Sequence, residues 1–105
     1  MLDLLQENRE AIADLCRRYA VTRLEVFGSA ADGPYDPVRS DVDFLVEFRP
    51  GTNLGPWLTR YFELREALAQ LLGRPVDLVL TGAAGLRNPH FAREVNRTRR
   101  LLYAA

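Results

Sequence analysis

Asp41 and Asp43 alternate with apolar residues in SDVDFLVEF, Ser40 to Phe48, and Asp77 interrupts PVDLVL in the same way. Charges set into a strand core need a partner, because an unpaired buried charge is costly. Successive strand side chains point to opposite faces, so Asp41 and Asp43 share the face opposite Val42, Phe44, Val46 and Phe48. Their Cα atoms would lie about 6.5–7 Å apart along the strand. There the two carboxylates repel by about 2–3 kcal/mol at an effective dielectric of 20. The fold gains nothing from that repulsion unless a cation sits beside them. Hard divalent ions such as Mg2+ are held by one or two carboxylates plus phosphate oxygens. Asp77 stands opposite Val76, Leu78 and Leu80, so it joins the same site if its strand is a neighbour. Three converging carboxylates can hold two Mg2+ ions, which stabilise the attacking and leaving oxygens of an in-line phosphoryl displacement. An Asp-x-Asp by itself is more often the mark of a solvated strand face.

The run VTRLEVF ends at Gly28-Ser29, a pair that alone marks only a turn. Gly28 and Gly33 have the glycine spacing of a P-loop. Pro34 and Tyr35 stand where that motif requires Lys and Ser/Thr, which excludes it.

These residues must be positioned by an alternating set of elements. Leu4, Leu5, Ile12, Leu15, Cys16 and Tyr19 recur at helical spacing and predict a helix over 3–19. VTRLEVF alternates as a strand with Leu24 and Val26 on one face. SAADG reads as a short helix or turn, PYDPV as a loop, and SDVDFLVEF as a second strand. A long helix is expected from about Leu54 to Leu72, with Trp57, Leu58, Tyr61, Phe62, Leu68, Leu71 and Leu72 on its apolar face. Gly73 and Pro75 stop it. VDLVL is a third strand, and Asn88-Pro89 caps a last helix expected to run to Tyr103. The expected fold is α+β, a small mixed sheet covered by helices in the order α-β-α-β-α-β-α. Residues 1–105 would form a single domain.

An apolar share of 48% with 27% charged residues fits a globular, water-soluble chain rather than a disordered one. No apolar run approaches the roughly 20 residues of a membrane span, and MLDLLQENRE is not a signal peptide. The lone Cys16 cannot form an internal disulfide and fits a reducing cytoplasm. Its place on an apolar helical stripe makes it a packed thiol. The net charge is zero, unevenly laid out: residues 1–80 carry 9 arginines against 13 acids, residues 81–105 carry 5 against 1. The zero total argues against direct nucleic-acid binding through the arginine-rich end. His90 reads as a surface or capping residue.

In this order and spacing, FGSAADG, SDVDFLVEF, PVDLVL and the closing NPHFAREVNRTRRLLY resemble the minimal nucleotidyltransferases of the DNA polymerase β-like superfamily, over nearly the whole chain. The resemblance implies that Gly28 and Ser29 hold the triphosphate, where backbone N–H groups and a helix N-terminus favour anions and glycine allows close approach. Ser40 and Arg39 join them as phosphate-binding candidates. It makes Asp41, Asp43 and Asp77 both the catalytic triad and the ligands of two Mg2+ ions, with ATP as substrate. Family members commonly carry a basic residue where this chain has Asp32; Arg39 could supply the missing charge.

The implied activity is transfer of AMP from ATP to a hydroxyl of a separate molecule. Stand-alone minimal members resemble antitoxins that adenylylate a tyrosine of a helical toxin encoded beside them. The alternative is the same fold with a weak or vestigial site, neutralising its partner by contact. Phe91, Val95, Leu101, Leu102 and Tyr103 on the expected last helix point to an interface with that partner or with a second copy.

Overall fold

The computed structural model describes residues 2–28, 31, 41–81 and 88–105. Two helices open the chain, α1 over Leu2–Glu7 and α2 over Arg9–Arg18, where one helix was expected. The break falls at Asn8, whose side-chain amide donates to the Leu4 carbonyl at 2.9 Å. Asparagine competes in this way with helical backbone bonding. Leu5, Ile12 and Cys16 still bury at helical spacing, each at 1% exposure or less. Burial pushes the Cys16 thiol up to about 12, so it is inert packing.

Strand β1, Val21–Phe27, pairs antiparallel with β2, Val42–Phe48, and β2 pairs parallel with β3, Val76–Leu80. A parallel pair needs a crossover. Here it is a 3-10 turn over Pro56–Leu58 followed by α3, Thr59–Leu72, which Gly73 ends in the left-handed conformation at φ 67°. The helix begins five residues later than the pattern predicted. Trp57 and Leu58 take positive φ (57° and 56°), and Trp57 is 93% exposed. The face that packs is Leu64, Leu68 and Leu72, while Phe62 stays half exposed.

Helix α4, Pro89–Thr98, starts as expected: the Asn88 side chain accepts from the His90 and Phe91 amides. It does not reach Tyr103. Arg99 is extended and Arg100–Ala104 forms a fourth strand, β4, antiparallel to β1, giving the order β3-β2-β1-β4. The correction has a physical cause. Leu24 and Val26 are fully buried, and without β4 the backbone of β1 would have one unpaired edge. A bulge shifts the pairing between Leu24↔Tyr103 and Glu25↔Leu101.

The sheet has two different faces. Leu24, Val26, Val42, Phe44, Val46 and Leu78 pack under the first three helices with Leu5, Ile12, Leu64 and Leu68. On the other face Phe27, Leu45 and Val79 meet Val95 and Phe91 of α4, with the Phe27 and Phe91 rings edge-on at 6.0 Å. Among the described residues no helix is long and apolar enough to cross a membrane.

Candidate active site

Asp43 and Asp77 are brought together by register. β2 and β3 run parallel with Asp43 opposite Asp77, and β1 ends with Phe27 opposite Asp43 on the other side. Paired residues project to the same face. The two carboxylates therefore lie at the end of the sheet where β2 and β3 begin and β1 finishes, on the face that α4 covers further along. Asp41 sits one residue before β2, exposed, rather than within the strand. The adjoining Val42 amide bonds the Pro75 carbonyl at 3.0 Å, joining the two strand starts.

The electrostatics record this crowding. The Asp43 carboxyl is pushed up to about 6, first by its partial burial, then by the charges of Asp77 and Asp41. A carboxylate raised by burial and by two like charges is poised for a cation. Among the described residues, Asp41, Asp43 and Asp77 included, no group of three or more His, Cys, Asp or Glu is arranged so as to hold a metal ion. Two facing carboxylates nevertheless match an ion that completes its shell from phosphate oxygens. The set fits Mg2+ delivered with a nucleotide, and not an all-protein cage.

Gly28 follows β1 at φ +74°, and a Cβ there would sit 3.0 Å from Asp43 Oδ2. Any side chain at this position would therefore crowd the carboxylate. The Gly28 amide donates to Thr98 Oγ1 at 2.8 Å, and its carbonyl accepts from the Ala31 amide at 3.0 Å. Ala31 is helical and buried. Ser29, Asp32, Arg39 and Ser40 lie outside the described residues, as do Pro34, Tyr35 and most of the SAADG and PYDPV segments.

Two neighbours of the site are not legible in the sequence. The Tyr61 hydroxyl donates to the Leu78 carbonyl, and burial, then Asp77, raises its pKa. Thr98 is 3% exposed and sits 70 residues from the glycine it bonds. No motif marks either. His90 is exposed and its amide is a capping donor, as expected.

With this geometry in hand, the model of the nucleotidyltransferase domain family matches residues 9–102. The chain belongs to that family. This nucleotidyltransferase domain is 33% identical over 93 residues to a protein of Methanocaldococcus jannaschii provisionally named a protein adenylyltransferase, covering 89% of this chain and 85% of that one. A solved structure provisionally described as a minimal nucleotidyltransferase superposes with a TM-score of 0.71 at 37% identity, covering 94% of this chain and 93% of the other. A crystal structure of a toxin–antitoxin with AMP-PNP contains a chain 25% identical, with a TM-score of 0.68, covering 93% of this domain and 74% of that chain.

Proposed function

We propose that this nucleotidyltransferase domain moves AMP from ATP onto a hydroxyl of a separate protein. The acceptor in this reading is a tyrosine of a helical toxin encoded beside it, which the modification silences. The observation that carries the reading is the in-register pairing of Asp43 with Asp77 beside a turn that has no side chain at Gly28. The named likeness to an adenylyltransferase and to a toxin–antitoxin structure with AMP-PNP supports it.

Asp41, Asp43 and Asp77 would hold two Mg2+ ions together with the nucleotide phosphates. Bound there, the ions would neutralise phosphate charge and lower the pKa of the attacking hydroxyl. The hydroxyl oxygen bonds the α-phosphorus as the α–β bridging P–O bond breaks and pyrophosphate leaves. Its proton passes to a carboxylate, for which the exposed Asp77 is the candidate acceptor. Gly28 lets the phosphates approach the backbone, with Ser29, Ser40 and Arg39 as the donors. The acceptor is supplied in trans, by the toxin.

Calorimetry of Mg2+·ATP binding tests this directly. Asp41→Asn with Asp43→Asn should abolish Mg2+-dependent binding while the fold persists, because it removes repulsion rather than a core contact. Unchanged affinity in the double variant would overturn the reading. With binding established, α-labelled ATP and the protein encoded next to this one separate the two antitoxin modes. Label on a tyrosine supports transfer; tight association without label means neutralisation by contact.

A further inference from the structure

We infer that Thr98 is a positioning residue for the nucleotide site, holding the Gly28 turn in register with Asp43. The inference rests on the nucleotide-transfer reading above. Thr98 lies in the last turn of α4, is 3% exposed, and its hydroxyl makes two bonds. It donates its single proton to the Glu94 carbonyl at 2.8 Å. That commitment fixes the hydroxyl rotor and aims a lone pair at the Gly28 amide, which donates to it at 2.8 Å. The next two residues reinforce the hold. Arg99 grips the buried Glu25 of β1 with bonds of 2.7 and 2.6 Å, and Arg100 Nε donates to the Ala31 carbonyl at 3.3 Å.

Three consecutive residues thus fasten the end of β1 and both described ends of the turn, Gly28 and Ala31. The turn they hold faces the carboxylate closely enough that a Cβ on Gly28 would stand 3.0 Å from Asp43 Oδ2, so its position sets the space between backbone and carboxylate. The bond to Thr98 also consumes the Gly28 N–H. Gly28 therefore serves phosphate by its lack of a side chain, and not as an amide donor. A small misplacement of a site by its supporting residues is enough to cost binding or rate.

The test uses Mg2+·AMP-PNP and the whole chain. Thr98→Val keeps the shape and removes the acceptor; Thr98→Ser restores both hydrogen bonds. Val21→Ala trims the core at the start of β1, the opposite end of that strand from Gly28, without touching α4 or the turn. The expected result is about tenfold weaker binding or worse for Thr98→Val, recovery to within about threefold for Thr98→Ser, and unchanged affinity for Val21→Ala despite a lower Tm. Should Thr98→Val not fold, amide exchange in the native protein decides. The Gly28 amide should be protected before nucleotide is added and no more protected after it. A freely exchanging Gly28 amide, or one protected only by nucleotide, overturns the assignment. Wild-type affinity in a folded Thr98→Val overturns Thr98 alone; native protein that binds no Mg2+·AMP-PNP overturns the nucleotide reading and the Thr98 assignment with it.

Discussion

At Gly28 the chain needs a left-handed residue and, independently, room for the Asp43 carboxylate, and glycine alone meets both demands. Gly73 is a natural comparison: it too has positive φ, but a methyl there would meet nothing within 4 Å. Gly73→Ala should cost about 1 kcal/mol of conformational strain, and Gly28→Ala about 1–2 kcal/mol more, read from urea unfolding. Equal losses would mean that Asp43 yields freely. Glu25 and Asp43 oppose each other in pH dependence. Arg99, against burial and with help from Arg23, holds the Glu25 carboxyl down from 4.5 to about 2. Its contribution is complete above pH 4.5 and is lost as pH falls toward 2, on the order of 3 kcal/mol at most. Asp43 is raised from 3.8 to about 6, so its ionisation works against the fold, with no penalty below pH 3.8 and a full one above pH 6. Asp43→Asn should therefore raise the Tm of metal-free protein near neutral pH and leave it unchanged in acid. A gain of the same size at both pH values would rule out charge as its cause.

Between elements, the junction of α4 with β4 carries more than its length implies. Glu25 is 3% exposed on the sheet face under α4, where an unpaired carboxylate would be expensive, and Arg99 and Arg23 both reach it. Arg99→Met strands that charge with one partner and should cost about 2 kcal/mol while raising the pH of acid unfolding. Arg17 pairs with Asp14 on an exposed helix face, so Arg17→Ala should fall within about 0.5 kcal/mol in the same titration. A comparable loss at both sites would mean that burial of Glu25 adds nothing to the value of its partner. The junction also explains why the last apolar residues are not a helix face. Leu102 and Tyr103 pack partly on the main core and only Leu101, at 51%, stays half in water. Most of the surface expected to be an interface is thus consumed by the fold.

At the scale of the molecule, the large exposed apolar groups among the described residues, Leu101 apart, gather before and within the first turns of α3: Trp57, Leu58 and Phe62, the last beneath the Arg65 guanidinium at 5.0 Å. Trp57 is the sole tryptophan. Since its indole is already 93% exposed, urea should unfold the protein with almost no shift in the emission maximum, while circular dichroism reports the transition. Trp57→Ala should change stability by less than about 0.5 kcal/mol. Phe44→Ala, at a fully buried position between β1 and β3, should cost about 3–5 kcal/mol. A large red shift on unfolding would place the indole inside the fold.

The residue patterns determined strands β1, β2 and β3, the long crossover helix, the capped start of α4 and the facing of Asp43 and Asp77 away from their apolar stripes. Those features follow from period-two and period-3.6 alternation and from local capping, all of which act over a few residues. The resemblance in the motifs carried the family, which the match over residues 9–102 bears out. Tertiary structure decided the rest. A run such as LLYAA is compatible with helix or strand, and it became β4 because the open edge of β1 offered backbone partners. The apolar Trp57 and Leu58 fit a helical stripe, yet the chain leaves them outside because the crossover starts with a turn at positive φ. Thr98 carries no local signal at all, and the helical stripe that marks Tyr61 says nothing of its hydroxyl. Their bonds to Gly28 and Leu78 join positions far apart in the chain, and only packing α3 and α4 against the sheet brings those groups within hydrogen-bonding reach of each other.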